Sequence, residues 1–137
     1  MEFRPATPAD AAALAAMNGQ LIHDEGHRNP MSLAELEARM SGWLAGEYQA
    51  VVFHTPSGPA GYALYRHEPE YVYLRQFFVH PECRRTGIGR AAITWLREHC
   101  WKGTRVRVEV LVGNDPGLAF WRAVGFRDYC LALEFTC

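Results

Sequence analysis

Apolar positions recur at helical spacing in the first third of the chain and at alternate positions in the middle third, so the period changes along the sequence. Glu2 to Ala6 is too short for a helix and reads as an edge strand. Thr7-Pro8-Ala9-Asp10 then opens a helix, with Thr7 as N-cap and Pro8 at the first helical position. The Ala-rich run to about Ile22 favours helix by propensity. Ser32-Leu33-Ala34-Glu35 is a capping box, followed by Leu36, Met40, Trp43 and Leu44 on one helical face, with Gly46 as the stop. Three strands follow, over Tyr48–His54, Ala60–Arg66 and Tyr71–Val79, joined as a meander by turn-rich segments such as Thr55-Pro56-Ser57-Gly58-Pro59. Gly87 to about Cys100 is helical, and Arg105–Val112 alternates charge with valine as a half-buried strand would. Asp115-Pro116 opens a short helix closed by Gly125, and Phe126–Phe135 is expected as a last strand. This order predicts one α/β domain over residues 1–137, built on a mixed sheet.

Composition narrows the class without naming a chemistry. A chain of 137 residues that is 49% hydrophobic is long and apolar enough to bury one core. With 14 Lys+Arg against 15 Asp+Glu, it projects no global field toward nucleic acid, so a basic site has to be local. No stretch approaches the roughly 18 apolar residues of a membrane span, and Met1-Glu2-Phe3-Arg4-Pro5 lacks the apolar run of a signal peptide. A cytoplasmic protein with no membrane partner is expected. Cys83, Cys100, Cys130 and Cys137 are then reduced thiols rather than disulfides.

The local basic site lies between a strand and a helix. In Val79-His80-Pro81-Glu82-Cys83-Arg84-Arg85-Thr86-Gly87-Ile88-Gly89-Arg90, a buried strand ends, three arginines gather, and two glycines open a helix. Unpaired amides at a helix N-terminus, with glycines that let the backbone come close, suit a bulky anion such as a phosphate. The competing account is a glycine turn with solvated arginines, but three arginines here in a neutral protein favour the anion. Gly87-Ile88-Gly89-Arg90-Ala91-Ala92 also satisfies the dinucleotide fingerprint, and Glu109 falls twenty residues after Gly89. That reading is the weaker one, because seven residues separate Val79 from Gly87 and Glu109 lies inside a strand. The phosphate loop of nucleotide hydrolases is excluded, since no Gly-Lys-Ser/Thr follows.

Arg84-x-x-Gly87-x-Gly89 after a strand resembles the pyrophosphate loop of the GNAT superfamily, the acetyl-CoA-dependent N-acetyltransferases. The run from Asn114 through Phe120-Trp121 to Gly125-Phe126 is similar to that family's second signature. The resemblance implies a mostly antiparallel mixed sheet flanked by helices, splayed after Val79 to admit acetyl-CoA. It places pantetheine pairing on Phe77, Phe78 and Val79, and pyrophosphate binding on Arg84, Arg85, Thr86, Gly87, Ile88, Gly89 and Arg90. It makes Asn114 the CoA-contacting Asn and Glu109, five residues earlier, the catalytic base. His23, Asp24 and Arg28 would border the acceptor, together with Tyr129. The family's acid Tyr is here Trp121, whose indole donates a hydrogen bond but is no acid near neutral pH. A thiol pKa of about 8.5 makes the departing thiolate easy enough to release that water or Tyr129 can replace that acid, with Trp121 packing along the pantetheine arm. The implied reaction is direct acetyl transfer to an amine, whether a small molecule or a protein N-terminus. The alternative is an acyl-CoA-binding module silenced at Trp121.

Each assignment has a plainer rival. Glu109 also suits an exposed strand residue paired with Arg105 or Arg107. His23 and His27 stand at i and i+4, but Asp24 replaces the Glu of a metalloprotease motif and no third ligand is evident, so no metal is expected. Tyr71, Tyr73, Phe77 and Phe78 read better as alternating core positions than as a stacking platform for nucleic acid. Dimerisation through an edge strand is compatible with this order, though no particular residue points to it.

Overall fold

The computed structural model describes residues 1–137. Its two N-terminal helices begin where local hydrogen bonding dictates. Asp10 accepts from the Thr7 N–H at 2.8 Å and takes the Arg4 guanidinium in a two-pronged ion pair at 2.8 and 3.0 Å. Helix α1 (Ala11–Glu25) follows a single 3₁₀ turn there, and Gly26 ends it in the left-handed region at φ +69°. It runs three residues past the expected Ile22, carrying His23, Asp24 and Glu25 in its last turn. Helix α2 (Leu33–Ala45) starts at the capping box, with Ser32 N–H donating to Glu35 (2.9 Å) and Glu35 N–H to Ser32 Oγ (3.2 Å).

The sheet has five strands in sequence order: β1 (Glu2–Pro5), β2 (Tyr48–Thr55), β3 (Gly58–His67), β4 (Val72–Val79) and β5 (Val106–Val108). The first four are antiparallel, and β5 joins β4 in parallel through the crossover helix α3 (Ile88–His99). Helix α4 (Asp115–Ala123) follows. Each sheet face buries its own core. Leu14, Met17 and Leu21 of α1 and Met40 of α2 pack on Val52, Tyr62, Leu64 and Phe78. On the other face Ile93 and Leu96 of α3 and Trp121 of α4 pack on Val51, Phe53, Val72 and Leu74. Trp101 and Leu96 are core residues, whereas Trp95 is only partly buried and stacks on Phe3 and His99.

Three features differ from the sequence reading, and all bear on where the sheet opens. First, β3 and β4 slip register, Leu64 opposing Gln76 and Tyr65 opposing Leu74, so Arg75 is an extra residue in a β-bulge. Arg75 and Gln76 therefore both turn toward α1 and α2. Second, β5 is three residues rather than eight, and its pairing ends at Leu74 opposite Val108. The strands thus part five residues before Val79. Third, residues 126–135 form no strand. After Phe126 tucks against Trp121, this segment finds no ladder to join, and Leu131, Leu133 and Phe135 lie exposed. No helix is long and apolar enough to cross a membrane.

Candidate active site

The loop after β4 leaves its main chain open. One 3₁₀ turn (Pro81–Cys83) leads into Arg84–Gly87, where Arg85 is the one non-glycine residue at positive φ (+62°) and Gly87 follows at +85°. The six successive amides from Arg85 to Arg90 find no acceptor within the protein. Left-handed residues that turn consecutive N–H groups one way make an anion cradle, strengthened here by the start of α3. Gly89 is needed for contact rather than for φ, since a Cβ there would come within 3.0 Å of the Phe120 ring.

The three loop arginines have different surroundings. Arg84 is engaged within the protein, donating through Nε to the Val79 carbonyl (2.7 Å) and through its terminal nitrogen to Asp24 (2.8 Å). Arg90 reaches the Ala123 carbonyl at the end of α4, at 3.3 Å. Arg85 makes no hydrogen bond or ion pair through its side chain, and Thr86 Oγ donates to the Cys83 carbonyl, tightening the turn. The loop thus offers an anion its amides, Arg85 and Arg90, with Arg84 fixing its shape.

Where β4 and β5 part, a cleft of about 390 Å³ opens beside the C-terminal end of α1. Phe77, Trp121 and Val108 line it from the sheet and α4, and Glu25, Arg28, Arg39, Tyr73, Arg75 and Glu109 bring its charged and polar groups. Glu109 accepts a hydrogen bond from the Tyr73 hydroxyl at 2.8 Å. Tyr73 is set opposite Arg107, so Glu109 lies one step diagonally across the parallel pair. Burial, then the bond to Glu109, pushes the Tyr73 phenol up to about 12. Glu109 itself is exposed. Neither arginine expected of a plain strand residue holds it, and Arg107 stacks instead on Tyr71 and Tyr129 at 4.0 and 4.7 Å.

Trp121 is buried edge-to-face against Phe77, Phe120 and Phe126, with centroids 5.0–5.2 Å apart. Phe77 and Val79 face the α3 side of β4, and Phe78 lies in the opposite core. Asn114 caps α4, accepting from Gly117 N–H at 3.1 Å while donating to Glu25 at 3.4 Å. The N-cap of α4 and the end of α1 are thereby tied together.

The residues expected around the acceptor do not converge. Arg28 lines the cleft but pairs with Glu134 at 2.8 Å. His23 lines a separate hollow between α1 and α2 with Gly19, Met31 and Leu36. Burial works against ionisation of Asp24, yet hydrogen bonds from Arg84 and Gln20 hold its carboxyl below the usual range. Tyr129 is 75% exposed on the C-terminal segment. His27 pairs with Glu25 at 2.8 Å, and nowhere do three His, Cys, Asp or Glu side chains gather as metal ligands would. Sequence reasoning missed Tyr73, Arg39 and Arg75 as cleft residues. Tyr73 and Glu109 stand 36 positions apart, and only the β4–β5 register pairs them.

The same fold recurs in solved structures at low identity. A possible acetyltransferase from Clostridium difficile superposes with a TM-score of 0.80 at 18% identity, over 99% of this chain and 97% of that one. An aminoglycoside antibiotic 6'-N-acetyltransferase from Acinetobacter haemolyticus gives 0.77 at 16%, over 100% and 98%. A predicted acetyltransferase from Clostridium acetobutylicum, solved with acetyl-CoA, gives 0.73 at 16%, over 98% and 95%. No curated protein matches the chain in sequence. The model of the acetyltransferase (GNAT) family, however, matches residues 19–126, which take in the open-amide loop, Glu109 and Asn114. This chain belongs to the GNAT family of acetyltransferases.

Proposed function

We propose that the protein transfers an acetyl group from acetyl-CoA to a primary amine by direct attack, with Glu109 as general base. The observation that carries this reading is the Tyr73–Glu109 pair in the cleft where β4 and β5 part. Acetyl-CoA, when bound, supplies an acyl group already activated as a thioester. The amides of residues 85–90, with Arg85 and Arg90, hold the pyrophosphate. Beyond Leu74, β4 has no neighbour on the β5 side, so its outward main-chain groups are open to hydrogen bonding there. The amine's attack on the thioester carbonyl breaks the C–S bond and releases the CoA thiolate, which takes its proton from water. Glu109 takes the proton shed by the amine, directly or through one water. Tyr73 keeps its own proton and orients the carboxylate, since a phenol near 12 is a poor donor at neutral pH. Trp121 packs against Phe77 and shapes the cleft wall.

Glu109→Gln keeps size and hydrogen bonding but cannot accept the proton. We expect kcat at pH 7 to fall by about 10²–10⁴-fold, with acetyl-CoA affinity little changed. The rate should recover part of the loss at high pH, where more amine is already neutral. A variant with wild-type kcat at pH 7 would return Glu109 to a structural role. Acetyl-CoA binding without turnover of any amine would favour the silent binding module.

A further inference from the structure

The cleft that holds Glu109 also holds two cations that no carboxylate answers. Arg39 of α2 and Arg75 of the β4 bulge both line it, and both guanidinium carbons lie over the same ring, Trp43, at 4.3 and 4.7 Å. Neither makes an ion pair. Their polar contacts are with neutral groups: Arg39 donates to Asn18 at 3.1 Å and Arg75 to the Tyr48 hydroxyl at 3.3 Å. The Nε of Arg39 is buried and donates to no protein atom. The other charged groups of the cleft are already engaged, Glu25 by His27, Arg28 by Glu134, and Glu109 by Tyr73.

We propose that Arg39 and Arg75 form an anion subsite for the acceptor, so that the amine acetylated by this protein carries a carboxylate. The inference rests on the N-acetyltransferase reading above and names its substrate class. Burial and the charge of Arg75 both disfavour the cationic form of Arg39, so an anion beside the pair relieves a strain the protein leaves standing. Planar guanidinium forks match a carboxylate, which accepts several N–H donors at once. An acceptor of amino-acid size places its carboxylate on the arginines and its amine toward Glu109 within one cleft. Polycationic acceptors, such as polyamines and aminoglycosides, would bring further positive charge to Arg39 and Arg75.

The test is a panel of matched primary amines assayed with acetyl-CoA and the full chain: amino acids against their amides, and ethanolamine against its phosphate ester. With rates corrected for the fraction of free amine, kcat/KM for the acid should exceed that for the amide by about tenfold or more. Arg39→Gln and Arg75→Gln should each raise the acid's KM by about tenfold and erase the preference. The KM of acetyl-CoA should stay unchanged, which shows that the variants fold. Arg75→Glu should turn the preference toward cationic amines. Equal rates for acid and amide in the wild type, or a polyamine as best acceptor, would overturn the subsite while leaving amine acetylation intact. A preference confined to the phosphate ester would overturn the carboxylate assignment. If acetyl-CoA binds and no amine in either set is acetylated, the transferase reading fails and the subsite falls with it.

Discussion

The loop after β4 and the cleft between β4 and β5 lie in adjacent parts of the molecule but work with different atoms. The loop offers main-chain amides, six in succession without a protein acceptor, and uses side chains mainly to hold its shape. The cleft offers side chains, a phenol and carboxylate pair beside two arginines, brought together from β4, the end of β5 and α2. The loop should therefore tolerate changes of side chain and fail when its backbone path is altered. The cleft should respond the other way.

The largest effect is expected at Trp121, where the two regions share a wall. Trp121→Ala empties the space among Phe77, Phe120 and Phe126 and should cost about 3–5 kcal/mol of stability, measured by denaturant unfolding. Trp121→Tyr should stay folded and change kcat by less than about tenfold. If the tyrosine variant instead switches on an otherwise inert protein, Trp121 marks a silenced enzyme. Next comes the backbone test of the loop. Gly87→Val forces a β-branched residue to φ +85° and should weaken acetyl-CoA binding by about tenfold or more, as read by calorimetry. Arg85→Ala removes charge but leaves the amides in place, so it should weaken binding less than Gly87→Val. The reverse order would mean that the loop binds through side chains after all.

A smaller change sharpens the cleft. Tyr73→Phe removes the hydroxyl that holds Glu109 and nothing of the ring, and kcat should fall by about three- to tenfold. Acetyl-CoA affinity should not move. The smallest effect lies away from both regions and serves as their control. The Arg4 hydrogen bond lowers the Asp10 carboxyl to about 2, so its contribution is full above the ordinary carboxylate pKa near 4 and fades as pH falls toward 2. Asp10→Asn should cost about 1 kcal/mol at pH 7, the difference from wild type should shrink as pH falls through about 2, and neither activity nor cofactor affinity should change.

Much of this was legible beforehand, for physical reasons that differ by element. The capping box at Ser32 and Glu35, the stop at Gly46 and the glycines of the loop act through neighbours a few residues away, so the chain displays them directly. Glu109 and Asn114 were legible through the family pattern and their fixed separation. Tyr73, Arg39 and Arg75 were not, because a parallel pairing, the packing of α2 and a bulge bring them into the cleft from distant positions. Residues 126–135 misled for the opposite reason. Their alternation is strand-like, but a strand needs an adjacent ladder, and β5 is only three residues long.

The bulge at Arg75 has a consequence for how this strand withstands change. One inserted residue is a change of parity: before it even-numbered Val72 and Leu74 face α3, and after it odd-numbered Phe77 and Val79 do. A substitution at 75 leaves that phase intact, since the extra backbone unit remains. Deleting Arg75 would restore strict alternation and leave every downstream residue on its present face, whereas flattening the bulge with all residues kept would exchange the two faces downstream. Flattening would carry Gln76 from its buried bond with Tyr62 into the α3 core, and Phe77 out of the aromatic cluster around Trp121. The bulge, more than the identity of residue 75, is what keeps the two halves of this strand in phase with their cores.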